Sequence, residues 1–502
     1  MLESVLDWGS RIVLTGSRPA QSQIRRFVTK FPFSLSRILT VLVVLCFGVV
    51  TAHANTDGVF TISVLKTGEI RVQAHLLTAG RSWSFRNAYA GILGIADRVE
   101  DFHATTDSQQ DARAGKIATG EFRSELDAYE ISYTVKLSEP GAANVSHVSW
   151  IVGDYGLLML ADLVPQDFTS ATVRFELPPD WSVHGFNLAA NDRSYYLPAL
   201  EKAVFFVGRS LKSTTQNTEG MPVTMVVGGT WSFKDHDVHA AARRIMKKYY
   251  DLTGLRLVNG AFIMIAPLPV KVGATKWRAE TRGSTVVLLI DPNAGFKNWI
   301  GQLSVIFTHE LFHLWVPNWL RLKGDYDWFF EGFTLYTALQ TALQLKLIDF
   351  QEYLDTLARV YDSYLSYSDD LSLIEASERR WTTSGSLVYD KGMLVAFLYD
   401  LKIRKESNGN TTLANRYREL FAGRVAANVD GNDAIIALLD SPPAMSGFAE
   451  GYVARSAKLE LETILPAYGL SLDSSTGRSQ LRIDRKLNAE QKQLLRSLGY
   501  RK

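Results

Sequence analysis

The stretch THELFHLW, residues 308–315, says more about fold and chemistry than any other part of this chain. On an α-helix, residues four positions apart lie about one turn apart on the same face, so His309 and His313 point in the same direction. Two neutral imidazoles at this spacing bind a zinc ion, and Glu310 lies beside them as a candidate general base. Such a zinc ion needs a third protein ligand and keeps a fourth position for water. The stretch therefore predicts a helix that carries a hydrolytic metal site.

The third ligand is predicted in the stretch WFFEGFT, residues 328–334, which follows shortly downstream. A carboxylate among Trp and Phe side chains is costly to bury unless a positive charge compensates it, and a zinc ion provides that charge. The alternative is that HELFH is a chance match in an ordinary amphipathic helix and that Glu331 is exposed. We predict one zinc ion per chain, bound by His309, His313 and Glu331.

The N-terminal 54 residues differ from the rest of the chain. Basic residues precede an apolar run at residues 38–50, and Ala52-His53-Ala54 follows it. A basic region, an apolar core and a small-x-small site are typical of a secretory signal. We expect cleavage after Ala54 and export to the periplasm or the extracellular space. The apolar run is short for a membrane span, but it could persist as a membrane anchor if cleavage failed.

Composition limits the chemistry that is open to this protein. With 502 residues, of which 46% are hydrophobic and 21% charged, the chain is long enough for two or three globular domains. Its single cysteine, Cys46, lies inside the apolar run, so the mature chain has no thiol. Disulfides, cysteine-bound metals and cysteine nucleophiles are thereby excluded, and histidine and carboxylate chemistry remains. The formal net charge of +2 gives no support for nucleic-acid binding.

Residues 55–234 contain short runs rich in β-branched and aromatic residues, broken by Gly, Asn, Asp and Pro. Such spacing predicts an antiparallel β domain that resembles a sandwich. The clearest runs are residues 60–65, 131–137, 149–152, 171–177 and 203–207.

The pattern changes near Asp235, and residues 235–470 are predicted to form the second, mainly helical domain of a multidomain α+β protein. The predicted helices are residues 239–250, 298–322, 328–347, 350–365, 386–404 and 413–422, with strands at 260–266 and 284–290. Residues 471–502 form a polar tail with a short helix at 488–498. The cluster DHDVH, residues 235–239, is interpreted as the N-terminal cap of a helix, with a second metal site as the alternative.

Three motifs together carry a family resemblance: HELFHLW, WFFEGFT and LVYDKG, the last at residues 387–392. They resemble the gluzincin metallopeptidases and look most like the glycyl aminopeptidase family, with the aminopeptidase N family as its cousin. The likeness covers residues 235–470. It implies a thermolysin-like, mainly helical zinc peptidase domain. The residues after Leu470 are too few for the C-terminal PDZ domain that this family often carries.

The resemblance also implies roles for particular residues. His309, His313 and Glu331 match the zinc ligands, and Glu310 matches the general base. Tyr389 matches the tyrosine that donates a hydrogen bond to the oxyanion, where an uncharged phenol stabilises developing negative charge.

A further match places Glu280 where the family binds the free amino terminus of the peptide. It lies in the stretch WRAETRGST, residues 277–285. Trp277 and Arg278 stand where the glycyl aminopeptidases usually have glycines, which let a substrate backbone approach closely. This departure leaves the specificity for free amino termini open.

The predicted function is a zinc-dependent peptidase with a peptide or protein substrate, in first place an aminopeptidase. A zinc endopeptidase is the alternative within the same class. The alternative of another class is a non-catalytic binding or scaffold protein with a degenerate peptidase fold. We further expect the strand at residues 284–290 to pair with an extended substrate.

Overall fold

The structure is a computed structural model that describes residues 57–65, 68–186, 193–231, 233–270, 277–293, 296–368, 370–381, 385–423, 429–474 and 477–501. The predicted secretory signal, residues 1–54, lies outside the described residues. Among the described helices, none combines the length and the apolar character that a membrane span requires.

The first part of the chain consists mainly of strands, and five of them overlap the five predicted runs. The strands are β1 Gly58–Val64, β2 Ile70–Ser84, β3 Ala88–Tyr89, β4 Ile92–Leu93, β5 Val99–Thr105, β6 Gly115–Ala118, β7 Glu121–Val135, β8 Trp150–Val152, β9 Tyr155–Met159, β10 Ala171–Glu176, β11 Trp181–Gly185, β12 Ser194–Leu197, β13 Val204–Arg209, β14 Lys212–Thr218 and β15 Met221–Val227. A seven-stranded sheet has the order β12-β10-β1-β2-β7-β5, with β6 beside β7, and a four-stranded sheet has the order β11-β13-β9-β8.

One pair in the larger sheet is parallel, which corrects the prediction of a wholly antiparallel domain. Strand β1 pairs with β10 in parallel and with β2 in antiparallel orientation. A parallel pair needs a long connection between its strands, and the chain from β2 to β9 provides one.

The four-stranded sheet lies between two other layers. Along β13, Phe205 and Val207 belong to the core shared with the seven-stranded sheet. The alternate residues Val204 and Phe206 belong to a second core, shared with a five-stranded sheet. This two-residue alternation buries both faces of β13, because successive side chains of a strand point to opposite sides.

The five-stranded sheet has the order β14-β15-β16-β18-β17, where β16 is Ala261–Pro267, β17 is Trp277–Arg282 and β18 is Thr285–Ile290. Its strands β14 and β15 precede residue 235, so the predicted domain boundary runs through a continuous sheet. The change of pattern at Asp235 reflects the start of helix α1, Asp235–Thr253, which connects β15 to β16. Strand β17 was not predicted as a strand.

The second part of the chain is mainly helical. Its helices are α2 Phe296–Phe312, α3 Thr334–Gln344, α4 Phe350–Leu365, α5 Leu373–Glu378, α6 Leu387–Glu406, α7 Leu413–Ala422, α8 Gly431–Asp440, α9 Leu461–Ile464 and α10 Ala489–Leu498. The bounds of α4 and α7 match the prediction. Helix α2 ends ten residues before its predicted end at 322, in a segment where Pro317 disfavours continuation. A π-helical turn, Trp328–Phe333, precedes α3.

The C-terminal residues are packed onto the helices. After α9, strands β19 (Leu470–Asp473) and β20 (Gln480–Ile483) form a hairpin, and α10 follows. Leu481 and Leu495 are fully buried in the same core as the helices of the second part. The segment predicted to be a polar tail therefore contributes to that core, through strand β20 and through the leucines of α10, which recur at helical spacing.

Candidate metal centre

The three predicted ligands converge on one point. The Nε2 atoms of His309 and His313 are 3.0 Å apart, and Oε2 of Glu331 lies 3.3 Å from each of them. In a tetrahedral zinc site with bonds of about 2.0 Å, ligand atoms are about 3.3 Å apart. The spacing therefore fits a single ion. Among the residues that the structure describes, these three form the only such metal-ligating group.

The second ring nitrogen of each histidine has its own partner, which leaves Nε2 for a metal. Nδ1 of His313 lies 2.9 Å from the carbonyl oxygen of Val316, and Nδ1 of His309 lies 3.3 Å from the hydroxyl of Thr334. A hydrogen bond from Nδ1–H fixes the ring and selects the tautomer whose Nε2 lone pair is free. Both rings are therefore oriented for metal binding.

Glu331 is held by a cation that sequence reasoning missed. Nη2 of Arg380 donates to Oε1 of Glu331 at 2.6 Å, while Oε2 faces the two imidazoles. The guanidinium also pairs with Asp327. Asp327 and Glu331 lie close together in an aromatic stretch, where buried carboxylates need a compensating cation. The sequence could therefore have predicted a buried cation near them, although not that it would be Arg380.

The charges of this site shift its pKa values. Burial acts to raise the pKa of Glu331, but Arg380 and the imidazoles outweigh it and hold that pKa well below its ordinary value. Burial acts to lower the pKa of His313, but the Glu331 carboxylate outweighs it and raises that pKa to about 9. Because a ligating imidazole must be neutral, zinc binding near neutral pH would release a proton.

Close packing of two glycines brings the π-helical turn of Glu331 against helix α6. A Cβ atom added to Gly332 would lie 2.5 Å from the Cα atom of Gly392 and 2.6 Å from the carbonyl oxygen of Val388. Only glycine permits this approach. It places Tyr389, near the start of α6, at the same cleft as Glu331.

Tyr389 lines the cleft and is bound to the same arginine as Glu331. Its phenol oxygen accepts a hydrogen bond from Nη2 of Arg380 at 2.8 Å. Burial raises the pKa of this phenol far above its ordinary value, so Tyr389 stays protonated. Since the arginine only donates, the phenol hydrogen remains available for a substrate oxygen.

Glu310 also lines the cleft and is tied to strand β17. The hydroxyl of Thr281 lies 2.6 Å from Oε2 of Glu310 and 2.9 Å from its main-chain oxygen. The predicted base thus lies beside the ligands in a fixed position.

The edge strand at the cleft is β17, which corrects the prediction that residues 284–290 pair with substrate. Strand β18 lies between β16 and β17, so both of its edges are already hydrogen-bonded. Among the described residues, strand β17 pairs with β18 alone, and its residues 277–281 line the cleft. An added strand needs a free edge, and of β17 and β18 it is β17 that has one.

Glu280 lines the same cleft but has several protein partners. Its Oε1 accepts from Nε of Arg282 at 2.6 Å and from the Tyr89 hydroxyl at 2.9 Å. Its Oε2 lies 2.5 Å from Nδ1 of His147. We name Tyr89, His147, Glu280 and Arg282 the Glu280 cluster.

The cluster at residues 235–239 forms the first turn of α1, which corrects the prediction of a helix cap, because Lys234 holds the N-cap position and its side chain makes no capping hydrogen bond. Asp235 and Asp237 lie in the first turn of α1, where carboxylates are favourable. His239 is buried, and its Nε2 lies 2.9 Å from the carbonyl oxygen of Val223. The alternative of a second metal site is not supported among the described residues.

The fold is similar to that of solved zinc peptidases. An aminopeptidase N family protein from Idiomarina loihiensis matches with a TM-score of 0.70 and 16% identity, over 83% of this chain and 79% of that one. An M1 zinc metallopeptidase from Deinococcus radiodurans matches with a TM-score of 0.52 and 12% identity, over 81% of this chain and 94% of that one. A mutant of a D. radiodurans M1 zinc metallopeptidase, bound to the substrate Tyr-Ser-Ala, has a TM-score of 0.51 and 13% identity, over 80% and 94%.

No protein-family model and no curated protein sequence matches the chain. At these low identities the structural likeness establishes the fold, and function rests on the site itself.

Proposed function

We propose that this protein is a zinc-dependent peptidase. The observation that carries the proposal is the convergence of His309, His313 and Glu331 at the spacing of a zinc ion, with Glu310 beside them in one cleft. Three protein ligands leave a coordination position for water or substrate, as in catalytic zinc sites.

The proposed chemistry assigns one role to each side chain. When bound, a zinc ion supplies Lewis acidity at the substrate carbonyl and makes water a usable nucleophile near neutral pH. Glu310 takes a proton from the attacking water and passes it to the leaving amine. Tyr389 donates its hydroxyl hydrogen to the carbonyl oxygen as that oxygen gains negative charge. Arg380 keeps the phenol hydrogen directed away from itself, because it occupies a phenol lone pair.

The alternative of a non-catalytic scaffold fits the site less well. A structural zinc ion is normally held by four protein ligands, whereas the described residues bring three together. Glu310 and Tyr389 would have no function in such a scaffold, although both line the cleft.

The choice between an aminopeptidase and an endopeptidase depends on whether Glu280 can bind a terminal ammonium group. The resemblance to glycyl aminopeptidases favours the aminopeptidase, and the contacts of Glu280 favour the endopeptidase.

The proposal is tested by zinc analysis of the purified protein and by digestion of a peptide library followed by mass spectrometry. We expect one zinc ion per chain and cleaved peptides. Glu310→Gln should keep the zinc and lower turnover by about 10²–10⁴-fold, which is the usual contribution of general acid-base catalysis. Glu490→Gln, at an exposed position of α10, is the matched control. Full turnover in Glu310→Gln, or bound zinc without any cleavage, would contradict the proposal.

We also propose that the protein is exported, on account of the basic and apolar pattern of residues 1–54. Sequencing the amino terminus of the protein recovered from an expressing bacterium tests this. A start directly after Ala54 supports export, and an intact amino terminus opposes it.

A further inference from the structure

The cleft offers few carboxylates that a terminal ammonium group could use. The acids among its described lining residues are Glu280, Glu310 and Glu331. Glu331 is a proposed zinc ligand and Glu310 is the proposed base. Binding an ammonium group inside a cleft requires a carboxylate partner, because a desolvated cation without one is strongly disfavoured. Glu280 is therefore the acid on which selection for free amino termini depends.

Protein donors already occupy both oxygens of Glu280. Oε1 accepts from Nε of Arg282 at 2.6 Å and from the hydroxyl of Tyr89 at 2.9 Å, and Oε2 lies 2.5 Å from Nδ1 of His147. The Glu280 side chain is only 11% exposed. These donors use three of the roughly four lone-pair sites of a carboxylate, so a substrate ammonium has at most one site, on Oε2, unless it displaces a donor.

The donors are themselves fixed and cannot readily move aside. Nη2 of Arg282 donates to the carbonyl oxygen of His147 at 3.1 Å, and its guanidinium carbon lies 4.2 Å from the centre of the Tyr89 ring. Nε2 of His147 lies 2.9 Å from the hydroxyl of Ser146. Since Tyr89 and His147 come from a different part of the chain than β17, the Glu280 cluster also joins these two parts.

The charges in the cleft also disfavour the binding of a substrate ammonium group. The charge of Arg282 offsets that of Glu280, so the pair presents no net negative charge to a ligand. Arg380, which lines the cleft, is likewise paired with Glu331 and Asp327. An ammonium group at Glu280 or Glu331 would therefore compete with an arginine that already compensates the charge of the carboxylate.

We propose that this peptidase does not select for a free α-amino group and that it cleaves N-terminally blocked peptides and internal peptide bonds. This inference rests on the proposed zinc peptidase function. The Glu280 cluster acts as a closed ion pair in the wall of the cleft. In the bound substrate, the uncharged backbone on the amino-terminal side of the cleaved bond lies against this wall. No ammonium group is needed there.

The test compares kcat/KM of the zinc-loaded protein for one peptide in two forms, with a free and with an acetylated amino terminus. We expect the two values to agree within about one order of magnitude, which corresponds to a difference of one hydrogen bond or less. Cleavage of only the free-amine form would overturn this inference and leave the peptidase function standing. Cleavage of neither form would overturn the peptidase function together with the inference that rests on it.

A variant sharpens the test. Arg282→Gln removes the compensating charge and should create a preference for the free-amine peptide by uncovering Glu280. Glu280→Gln should leave the ratio of the two rates unchanged, because the carboxylate is not used. A loss of free-amine cleavage in Glu280→Gln, with acetylated peptide still cleaved, would contradict the proposal. The comparison on the unchanged protein decides the matter even if Arg282→Gln fails to fold.

Discussion

The cleft contains two buried glutamates that have similar kinds of neighbours. Only one of them belongs to the candidate metal centre. Glu331 and Glu280 are 8% and 11% exposed, and each accepts a hydrogen bond of 2.6 Å from an arginine. The difference lies at the second oxygen. Oε2 of Glu331 faces two imidazole nitrogens at 3.3 Å, whereas Oε2 of Glu280 is paired with a single imidazole at 2.5 Å.

The comparison shows what turns a buried acid into a metal site. Around Oε2 of Glu331, both histidines direct an Nε2 atom to one point, so three lone pairs meet there and a cation is the natural occupant. Around Glu280, the ring nitrogens of His147 are engaged by Glu280 and Ser146, and no third ligand is present among the described residues. A buried carboxylate near a histidine and an arginine is thus not sufficient.

The largest difference between the two regions should come from the loss of one histidine. His309→Ala removes a ligand and should abolish both stoichiometric zinc binding and peptide cleavage. The loss of zinc affinity should exceed the factor of about 10–100 that is expected when an outer hydrogen-bond partner of a metal ligand is removed. His147→Ala, the matched change in the Glu280 cluster, should keep zinc. The zinc content of the two variants, measured by mass spectrometry, distinguishes them. Equal zinc contents would show that the two histidines do not differ in zinc binding.

The next effect concerns the two tyrosines. Tyr389→Phe removes the proposed donor to the substrate oxygen and should lower kcat by about 10²–10³-fold with zinc retained, as for loss of one oxyanion donor. Tyr89→Phe removes only a hydrogen bond to Glu280 and should lower kcat by less than about tenfold. Steady-state kinetics on a fluorogenic peptide measure both. An unchanged kcat in Tyr389→Phe would refute its assigned role.

A smaller effect is expected from the two arginines. Arg380→Gln should weaken zinc binding by about 10–100-fold, because Arg380 orients Glu331 so that Oε2 faces the metal. Arg282→Gln should leave zinc affinity unchanged, and so should Arg379→Gln at the exposed neighbouring position. Competition with a chelator gives the affinities. If all three variants bind zinc equally well, Arg380 does not position the ligand.

The last effect is on the stability of the folded protein, and it is expected without any change in zinc binding. Burial acts to raise the pKa of Glu280, but Arg282 and His147 outweigh it and lower that pKa from 4.5 to about 2. A depressed pKa stabilises the folded protein above pH 4.5, and this stabilisation is lost as the pH falls toward 2. The shift corresponds to about 3 kcal/mol, from about 1.4 kcal/mol per pKa unit.

The melting temperature of Glu280→Gln should therefore lie below that of the unchanged protein at neutral pH. The two should approach each other between pH 4.5 and pH 2, because the protonated acid resembles the amide. Thermal melts over this range provide the measurement. A gap that stays constant with pH would show that Glu280 is not held ionised by its partners.

Local patterns in the sequence predicted much of this protein. The four-residue spacing of His309 and His313 places two ligands on one helix face, and that information is contained in five consecutive residues. A short run of β-branched and aromatic residues predicted the strand β13, and helical spacing predicted the bounds of α4 and α7. In each case the interacting residues are near one another in the chain.

Long-range pairing could not be predicted in this way. Arg380 is 49 positions from Glu331, and His147 and Tyr89 are 133 and 191 positions from Glu280. No periodicity indicates which distant cation compensates which buried acid. The same limit explains why the match of residues 277–285 gave no sign that Glu280 contacts Tyr89, His147 and Arg282.

The most direct test is a crystal structure of the purified protein with zinc, measured at the zinc absorption edge. We predict one anomalous peak about 2.0–2.2 Å from Nε2 of His309, Nε2 of His313 and an oxygen of Glu331, and no peak beside Glu280. A peak at the Glu280 cluster, or three ligand side chains turned apart with no zinc between them, would contradict the account.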